Sequence, residues 1–331
     1  MRVGVIGAGS WGTALAHHLG QKGLSVTLWC REPEVASSIA SKRENTLFLP
    51  GIHLSERITP TTHLQEAVEN HDILLNVVPA QFVRETWGKV GRPNALLVSA
   101  SKGIEVHSGA LMTQVFKELF GMEWVQENLA VLSGPSFARE VARGLPTAVT
   151  VAARRESTAE TAAVVFHTNR FRVYTQLDPI GVEVGGAVKN VIAIAAGVCQ
   201  GLGLGENARA ALITRGLAEM SRLGTRLGAD PITFMGLAGV GDLVLTCSGD
   251  LSRNRQVGIR LGKGEPLDEI LESMRMVAEG VPTTRAVVEL SESLGVEMPI
   301  SSALAKILFR NQPPQEVMEE LLARAPKREF H

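Results

Sequence analysis

Along the first half of the chain, short runs of apolar and often β-branched residues recur at Arg2 to Ile6, Val26 to Trp29, Ile73 to Val77, Leu96 to Ser99, Leu129 to Leu132 and Ala148 to Ala152. The runs are nearly continuous rather than alternating, as strands are when both faces of their sheet are covered. Segments long enough for helices or extended connections separate them, so the pattern predicts a largely parallel, doubly wound α/β sheet. After about Tyr174 the texture becomes helical. Val182 to Val198, Ala208 to Leu227, Leu267 to Met274, Thr283 to Leu294 and Pro314 to Ala325 predict helices, and Asp178 and Pro179 interrupt the chain just before the first of them. Two domains are expected: an α/β unit over residues 1–180 and a mainly α-helical unit over 181–331.

Composition narrows the class. A chain of 331 residues with 45 % hydrophobic content is long enough for two cores, which excludes disorder, collagen and a disulfide-stapled miniature fold. Lys and Arg total 33 against 34 Asp and Glu, so the net charge of −1 lacks the basic excess of a typical nucleic-acid binder, and no nucleic-acid partner is expected. Cys30, Cys199 and Cys247 are scattered and contain no CxxC pair, which argues against disulfides and zinc and points to a reducing, cytoplasmic setting. No HExxH or clustered ligand set suggests a metal site. The first residues lack a secretory pattern, and the longest tempting apolar run, Val191 to Val198, is far short of the roughly 20 residues of a membrane span, so no transmembrane segment is expected.

Chemistry first appears at Gly7-Ala8-Gly9-Ser10-Trp11-Gly12, directly after the first apolar run and before a helical pattern. In that context Gly7 permits the tight turn, Gly9 lets the backbone approach a pyrophosphate, and Gly12 allows close helix packing, with the helix N-terminus facing the anion. The first unit therefore reads as a Rossmann-type dinucleotide-binding domain. Arg31 ends the second run, where an acidic residue often receives the adenosine ribose; an arginine there can pair with a 2′-phosphate, which brings in NADP, or can simply face solvent. The neighbouring Glu32 keeps NAD open. Further loops after apolar runs carry Lys102 in SASKG, suited to a carbonyl oxygen or phosphate or to the surface, and Gly134 and Ser136 in LSGPSFA. Gly134 permits close substrate approach, Ser136 either caps the following AREVA helix or orients a ligand, and Ala138 leaves room for the cofactor.

The second half has a different donor set. All eight histidines precede it except the terminal His331, so proton transfer there falls to lysine. Lys189 lies in GGAVKN, inside an apolar helical run, where desolvation can lower its pKa enough for it to act as a general base, unless it snorkels to the surface. Asp242 in GVGDLVLT could orient Lys189 or a substrate hydroxyl, or cap a turn. Ser252 can start a helix whose first N–H groups, at Arg253 and Asn254, meet an anion while the Arg253 guanidinium adds directional bonds; a solvated basic face over Arg253 and Arg255 is the alternative. The Ala- and Gly-rich helices suit a symmetric homodimer or, equally, an intramolecular core.

The ordered set GAGSWG, SASKG, LSGPSFA, VKN, GVGDLVLT and SRNR resembles the bacterial-type NAD(P)-dependent glycerol-3-phosphate dehydrogenase family over essentially the whole chain. The resemblance implies an oxidoreductase acting on a secondary alcohol: reversible conversion of sn-glycerol 3-phosphate to dihydroxyacetone phosphate with NAD(H) or NADP(H), supplying glycerophospholipid synthesis. It implies cofactor contacts at Ser10, Trp11, Arg31, Lys102, Ala138, Arg253, Val277 and Glu279, the last two reaching back to the adenine or ribose side. It further implies substrate contacts at Lys102, Gly134, Ser136, Lys189, Asp242, Ser252, Arg253 and Asn254, with Lys189 as the proton acceptor and Thr246 as polar support. A phosphogluconate-type dehydrogenase would place an asparagine four residues after the lysine; here that position is Ala193 and Asn190 follows Lys189 directly. A redox sensor without turnover would not need the Lys189, Asp242 and Arg253 set.

Overall fold

The computed structural model describes residues 1–274, 277–325 and 328–329; 275–276, 326–327 and 330–331, all in the expected second unit, lie outside the described residues. Eight strands form one sheet in the order β3-β2-β1-β4-β5-β6-β7-β8. They are β1 Arg2–Ile6, β2 Ser25–Trp29, β3 Ile58–Thr61, β4 Ile73–Asn76, β5 Leu96–Ser99, β6 Leu129–Ser133, β7 Thr147–Ala153 and β8 Phe171–Gln176. The first six are parallel, β7 runs antiparallel to β6, and β8 is parallel to β7. Alternate residues of the central strands enter two separate cores: Val5, Leu75 and Val98 on one face, Ile6, Leu74 and Leu97 on the other. Burial on both faces is what the unbroken apolar runs require.

Two strands escape the sequence pattern. β3 reads ITPT, and Pro60 within it removes a ladder donor, which is tolerated because β3 is an edge strand. β8 is the opposite edge and has only Phe171 fully buried, so its apolar signal is weak.

Beyond Gln176 the described residues are helical. The Pro179–Gly201 helix is long and apolar enough to cross a membrane by length and composition, but it is buried within the protein. The Gly205–Arg226, Asp242–Ser248, Arg253–Gly262 and Gly280–Leu294 helices pack around it. Its closest neighbour is the Arg253–Gly262 helix. Gly197 and Gly201 on one meet Gly258 and Gly262 on the other, and a Cβ at Gly258 would collide with the Ile194 carbonyl oxygen. The small-residue faces are thus used within the chain.

The two halves are joined by a buried carboxylate. Glu183, on the Pro179–Gly201 helix, accepts from the Thr113 backbone N–H (2.8 Å) and from Thr113 Oγ1 (2.6 Å), serving the first turn of the Met112–Phe120 helix. Burial pushes its carboxyl up to about 7, against the pull of the two Thr113 bonds. The fold therefore retains a proton that the unfolded chain has released, and this group's contribution to stability declines as pH rises from the ordinary carboxylate range to about 7. Glu183→Gln can keep both contacts, accepting from the N–H and donating to the hydroxyl. It should match or exceed the parent's denaturation midpoint, by a margin that grows through that pH window, whereas Glu183→Ala should cost about 1–3 kcal/mol. Urea titrations at pH 5 and 8 check both.

Candidate active site

Four adjacent strands, β1, β4, β5 and β6, deliver their following loops to one edge of the sheet. At the first, Gly7 adopts φ +117°, and a Cβ there would stand 2.8 Å from the Val77 carbonyl oxygen. A Cβ on Gly12 would collide with the Gly7 carbonyl, so the Ser10–Gln21 helix can pack this closely only with glycine there. Gly9 differs: no heavy atom lies within 4 Å of the place its Cβ would occupy, and as the N-cap it leaves the helix start without a side-chain cap. The Ser10 hydroxyl donates to the Phe48 carbonyl (2.6 Å), and the Trp11 indole nitrogen is buried without a partner among the described residues. Open space beside Gly9, an uncapped positive helix end and an orphaned donor fit a dinucleotide. Arg31, at the end of β2, has 70 % of its side chain exposed and pairs with Glu32 (2.7 Å). Ala138 begins the short Ala138–Ala142 helix, which packs against the Ser10–Gln21 helix.

The lysines meet at one carboxylate. Asp242 begins the Asp242–Ser248 helix after a π-type turn at Leu237–Gly241, and Thr246, four residues on, shares its face. Lys189 Nζ donates to Asp242 Oδ1 (2.5 Å) and Thr246 Oγ1 (3.0 Å), and Lys102 Nζ donates to Asp242 Oδ2 (2.7 Å) and, at 3.4 Å, to the Gly134 carbonyl. The Thr246 hydroxyl in turn donates a hydrogen bond to the Asp242 backbone carbonyl oxygen (2.6 Å). Lys189 is 6 % exposed and Asp242 1 %, so neither is a surface lysine or a solvent-facing turn residue. Burial drives Lys189 down to about 7; Asp242 opposes the fall and the Lys102 charge adds to it. Burial alone would raise the Asp242 carboxyl, but Lys102 and Lys189 together hold it below the ordinary range. An ammonium has three donors. Asp242 and Thr246 take two of them, leaving one for a ligand oxygen.

The third component is the start of the Arg253–Gly262 helix. Ser252, buried, is its N-cap and accepts from the Arg255 N–H (3.3 Å), which leaves the first-turn N–H groups of Arg253 and Asn254 at the positive end. The Asn254 side chain is committed: Nδ2 donates to Asn190 Oδ1 (3.0 Å), and Oδ1 accepts from the Gly280 N–H (3.0 Å). A ligand would therefore meet its backbone. Arg255 is buried and paired with Asp250 (2.9 Å), so the basic segment is not a solvated face.

One expectation changes. Ser136 does not cap the AREVA helix; Phe137 is the N-cap, and the Ser136 hydroxyl donates to the Gly134 carbonyl (2.9 Å), which tightens the turn carrying that carbonyl. Burial raises the Glu279 carboxyl while Arg253, Lys102, the Ala80 N–H and Lys189 pull it down. Val277 is 49 % exposed at the edge of the same segment. Asn190, part of VKN, and Ala80, in the Asn76 to Gln81 loop after an apolar run that could extend the cofactor site, carried no assigned contact from the sequence; a polar Asn190 inside an apolar helix was the available signal.

The chain matches two family descriptions: NAD-dependent glycerol-3-phosphate dehydrogenase N-terminus over residues 2–159 and the corresponding C-terminus over 178–319. A glycerol-3-phosphate dehydrogenase (NAD(P)+) of Citrifermentans bemidjiense is 54 % identical over 99 % of this chain and 98 % of the relative. One from Chlorobium phaeobacteroides is 48 % identical over the full length of both. Among solved structures, glycerol-3-phosphate dehydrogenase from Coxiella burnetii superimposes with a TM-score of 0.92 at 38 % identity, covering 98 % of this chain and 99 % of that one.

Proposed function

The chain belongs to the NAD-dependent glycerol-3-phosphate dehydrogenase family, and on that premise we propose how its residues interconvert sn-glycerol 3-phosphate and dihydroxyacetone phosphate with NAD(H) or NADP(H), a reaction that supplies the backbone of glycerophospholipids. One observation carries the proposal: a buried lysine of near-neutral pKa and a second lysine share a single buried carboxylate, near a Ser252-capped helix start whose first N–H groups face outward.

The bound nicotinamide supplies or accepts the hydride at the substrate C2. Lys189 handles the proton on the C2 oxygen: neutral, it accepts that proton during alcohol oxidation, and protonated, it returns it during ketone reduction. Asp242 and Thr246 hold Lys189 so that its remaining position faces the substrate. Lys102 keeps Asp242 ionised and lends positive charge near the C2 oxygen as the alkoxide develops. Gly134, with Ser136 bracing its turn, lines the substrate beside Lys102. Ser252 holds open the helix start, where the N–H groups of Arg253 and Asn254 and the Arg253 guanidinium bind the phosphate. Gly7, Gly9, Ser10, Trp11, Gly12, Lys102, Ala138, Arg253, Val277 and Glu279 would hold the cofactor, with Arg31 pairing a 2′-phosphate.

We divide the chain near residue 180 into a cofactor unit and a substrate unit and assign it to the cytoplasm. The free, buried cysteines are consistent with that compartment. The glycine faces that suited a homodimer or an intramolecular core pack within the chain; sedimentation of the purified protein gives its oligomeric state.

Initial rates with dihydroxyacetone phosphate and NADH or NADPH in parallel test the reading, and absence of turnover with both would overturn it. Within the same assay, Arg31→Ala should weaken NADPH roughly three- to tenfold and NADH hardly at all, because only one ligand loses a contact and the site is solvent-screened. Equal changes in the two dissociation constants at fixed ionic strength would remove Arg31 from 2′-phosphate recognition.

A further inference from the structure

Asn76, the last residue of β4, is completely buried. A primary amide in that setting is costly unless all its hydrogen-bonding capacity is met. It is met. Nδ2 donates to Ser99 Oγ (3.2 Å) and Ser101 Oγ (2.8 Å), while Oδ1 accepts from Trp87 Nε1 (2.9 Å) and the Val78 N–H (3.4 Å). Ser101 in turn donates to the Val78 carbonyl, and the Ala100 N–H to the Asn76 carbonyl (2.8 Å). The network thus anchors the residue immediately before Lys102 to the end of the neighbouring strand.

The far side of Lys102 is tied to the same segment. Gln81 Nε2 donates to the Ile104 carbonyl (2.7 Å), its Oε1 accepts from the Val106 N–H (2.9 Å), and Arg84 binds both oxygens of Glu105. The loops after β4 and β5 therefore form one stitched unit. That unit presents Lys102 to Asp242.

We infer that Asn76 is a positioning residue for the reaction: by fastening Ser101 to β4, it fixes where Lys102 grips Asp242, and through Asp242 how Lys189 is held. The inference rests on the roles proposed above for Lys102 and Lys189. Asn76 lies behind the loop and reaches the reacting atoms only through this chain of contacts. Displacement of a catalytic group by about 1 Å can cost roughly 10²-fold in rate.

The test uses Asn76→Ala, the gentler Ser101→Ala, Lys102→Ala and the double variant Asn76→Ala with Lys102→Ala. Folding is checked by melting and NADPH binding by titration. The two loop variants should bind NADPH as the parent does and lose about 10- to 100-fold in kcat, with a smaller change in KM for the phosphorylated substrate, whose phosphate is held elsewhere. The pH midpoint of kcat for alcohol oxidation should move upward, because Lys102 no longer presses on Lys189. In the Lys102→Ala background, Asn76→Ala should add almost nothing. Unchanged kcat and pH midpoint in folded Ser101→Ala and Asn76→Ala, beside an impaired Lys102→Ala, would overturn this inference alone, as would fully multiplicative losses in the double variant. Parental turnover in Lys102→Ala would overturn the Lys102 role and this inference with it.

Discussion

Lys189→Ala should lower turnover by roughly 10²- to 10⁴-fold in both directions while NADPH binding stays near the parental level. The alanine removes the one buried amine bonded to both Asp242 and Thr246, and leaves Asp242 paired with Lys102 alone. The pH dependence is the more specific sign. With Lys189 titrating at about 7, kcat for alcohol oxidation should rise as pH passes upward through that value, because the neutral amine is the active form. For ketone reduction it should fall over the same range, because the ammonium is the proton donor. Both limbs should vanish in the variant. Measuring kcat at saturation reports the bound complex, so titration of the free substrate phosphate does not enter. Turnover within a few-fold of the parent in folded Lys189→Ala, or unaltered pH limbs, would rule the residue out as the acid and base.

The reason Lys189 could be picked out by sequence alone is local. An ionisable residue inside an unbroken apolar helix must be either paired or functional, and GGAVKN states that conflict within six residues. GAGSWG and the Ser252 cap are local in the same way: a strand-turn-helix junction and a serine three residues before the N–H it serves. Of the long-range pairings, Asp242 with Lys189 was among the alternatives the sequence offered and is formed, but that of Lys102 with the same carboxylate was not legible. Lys102 and Asp242 are 140 residues apart, and nothing in SASKG or GVGDL announces that they meet. Glu279 depended on resemblance for its detection. β3 stayed hidden because Pro60 breaks its propensity, although edge placement tolerates it. The Arg253–Gly262 helix showed its cap but not its packing, since glycines in a helical stretch read as weakness until a partner backbone lies against them. Of the two readings left open for Ser136, only capping is excluded: a serine near a helix start can bond locally in two ways, and its hydroxyl donates to the turn carbonyl of Gly134 while Phe137 takes the N-cap.

Removing the substrate's phosphate should cost roughly 10³-fold or more in kcat/KM, so dihydroxyacetone should be a very poor substrate even when NADPH is saturating. The start of the Arg253–Gly262 helix offers backbone donors, the positive end of the helix and, from Arg253, a planar fork. Two or three charge-assisted contacts at about 2 kcal/mol each amount to about 4–6 kcal/mol, and each 1.4 kcal/mol is about tenfold. That binding energy acts at the non-reacting end of the molecule, where it orients C2 against Lys189, so the loss should appear in kcat as well as KM. Arg253→Lys keeps the charge but not the fork, and should reduce the advantage of the phosphorylated substrate about tenfold. Because the family resemblance also gives Arg253 a cofactor contact, NADPH affinity is measured separately in the same variant. Comparable parental efficiency with and without phosphate would remove the helix start from substrate recognition. A phosphate advantage that falls in Arg253→Lys while NADPH affinity holds would assign recognition to that guanidinium, and a fall in NADPH affinity alone would assign Arg253 to the cofactor instead.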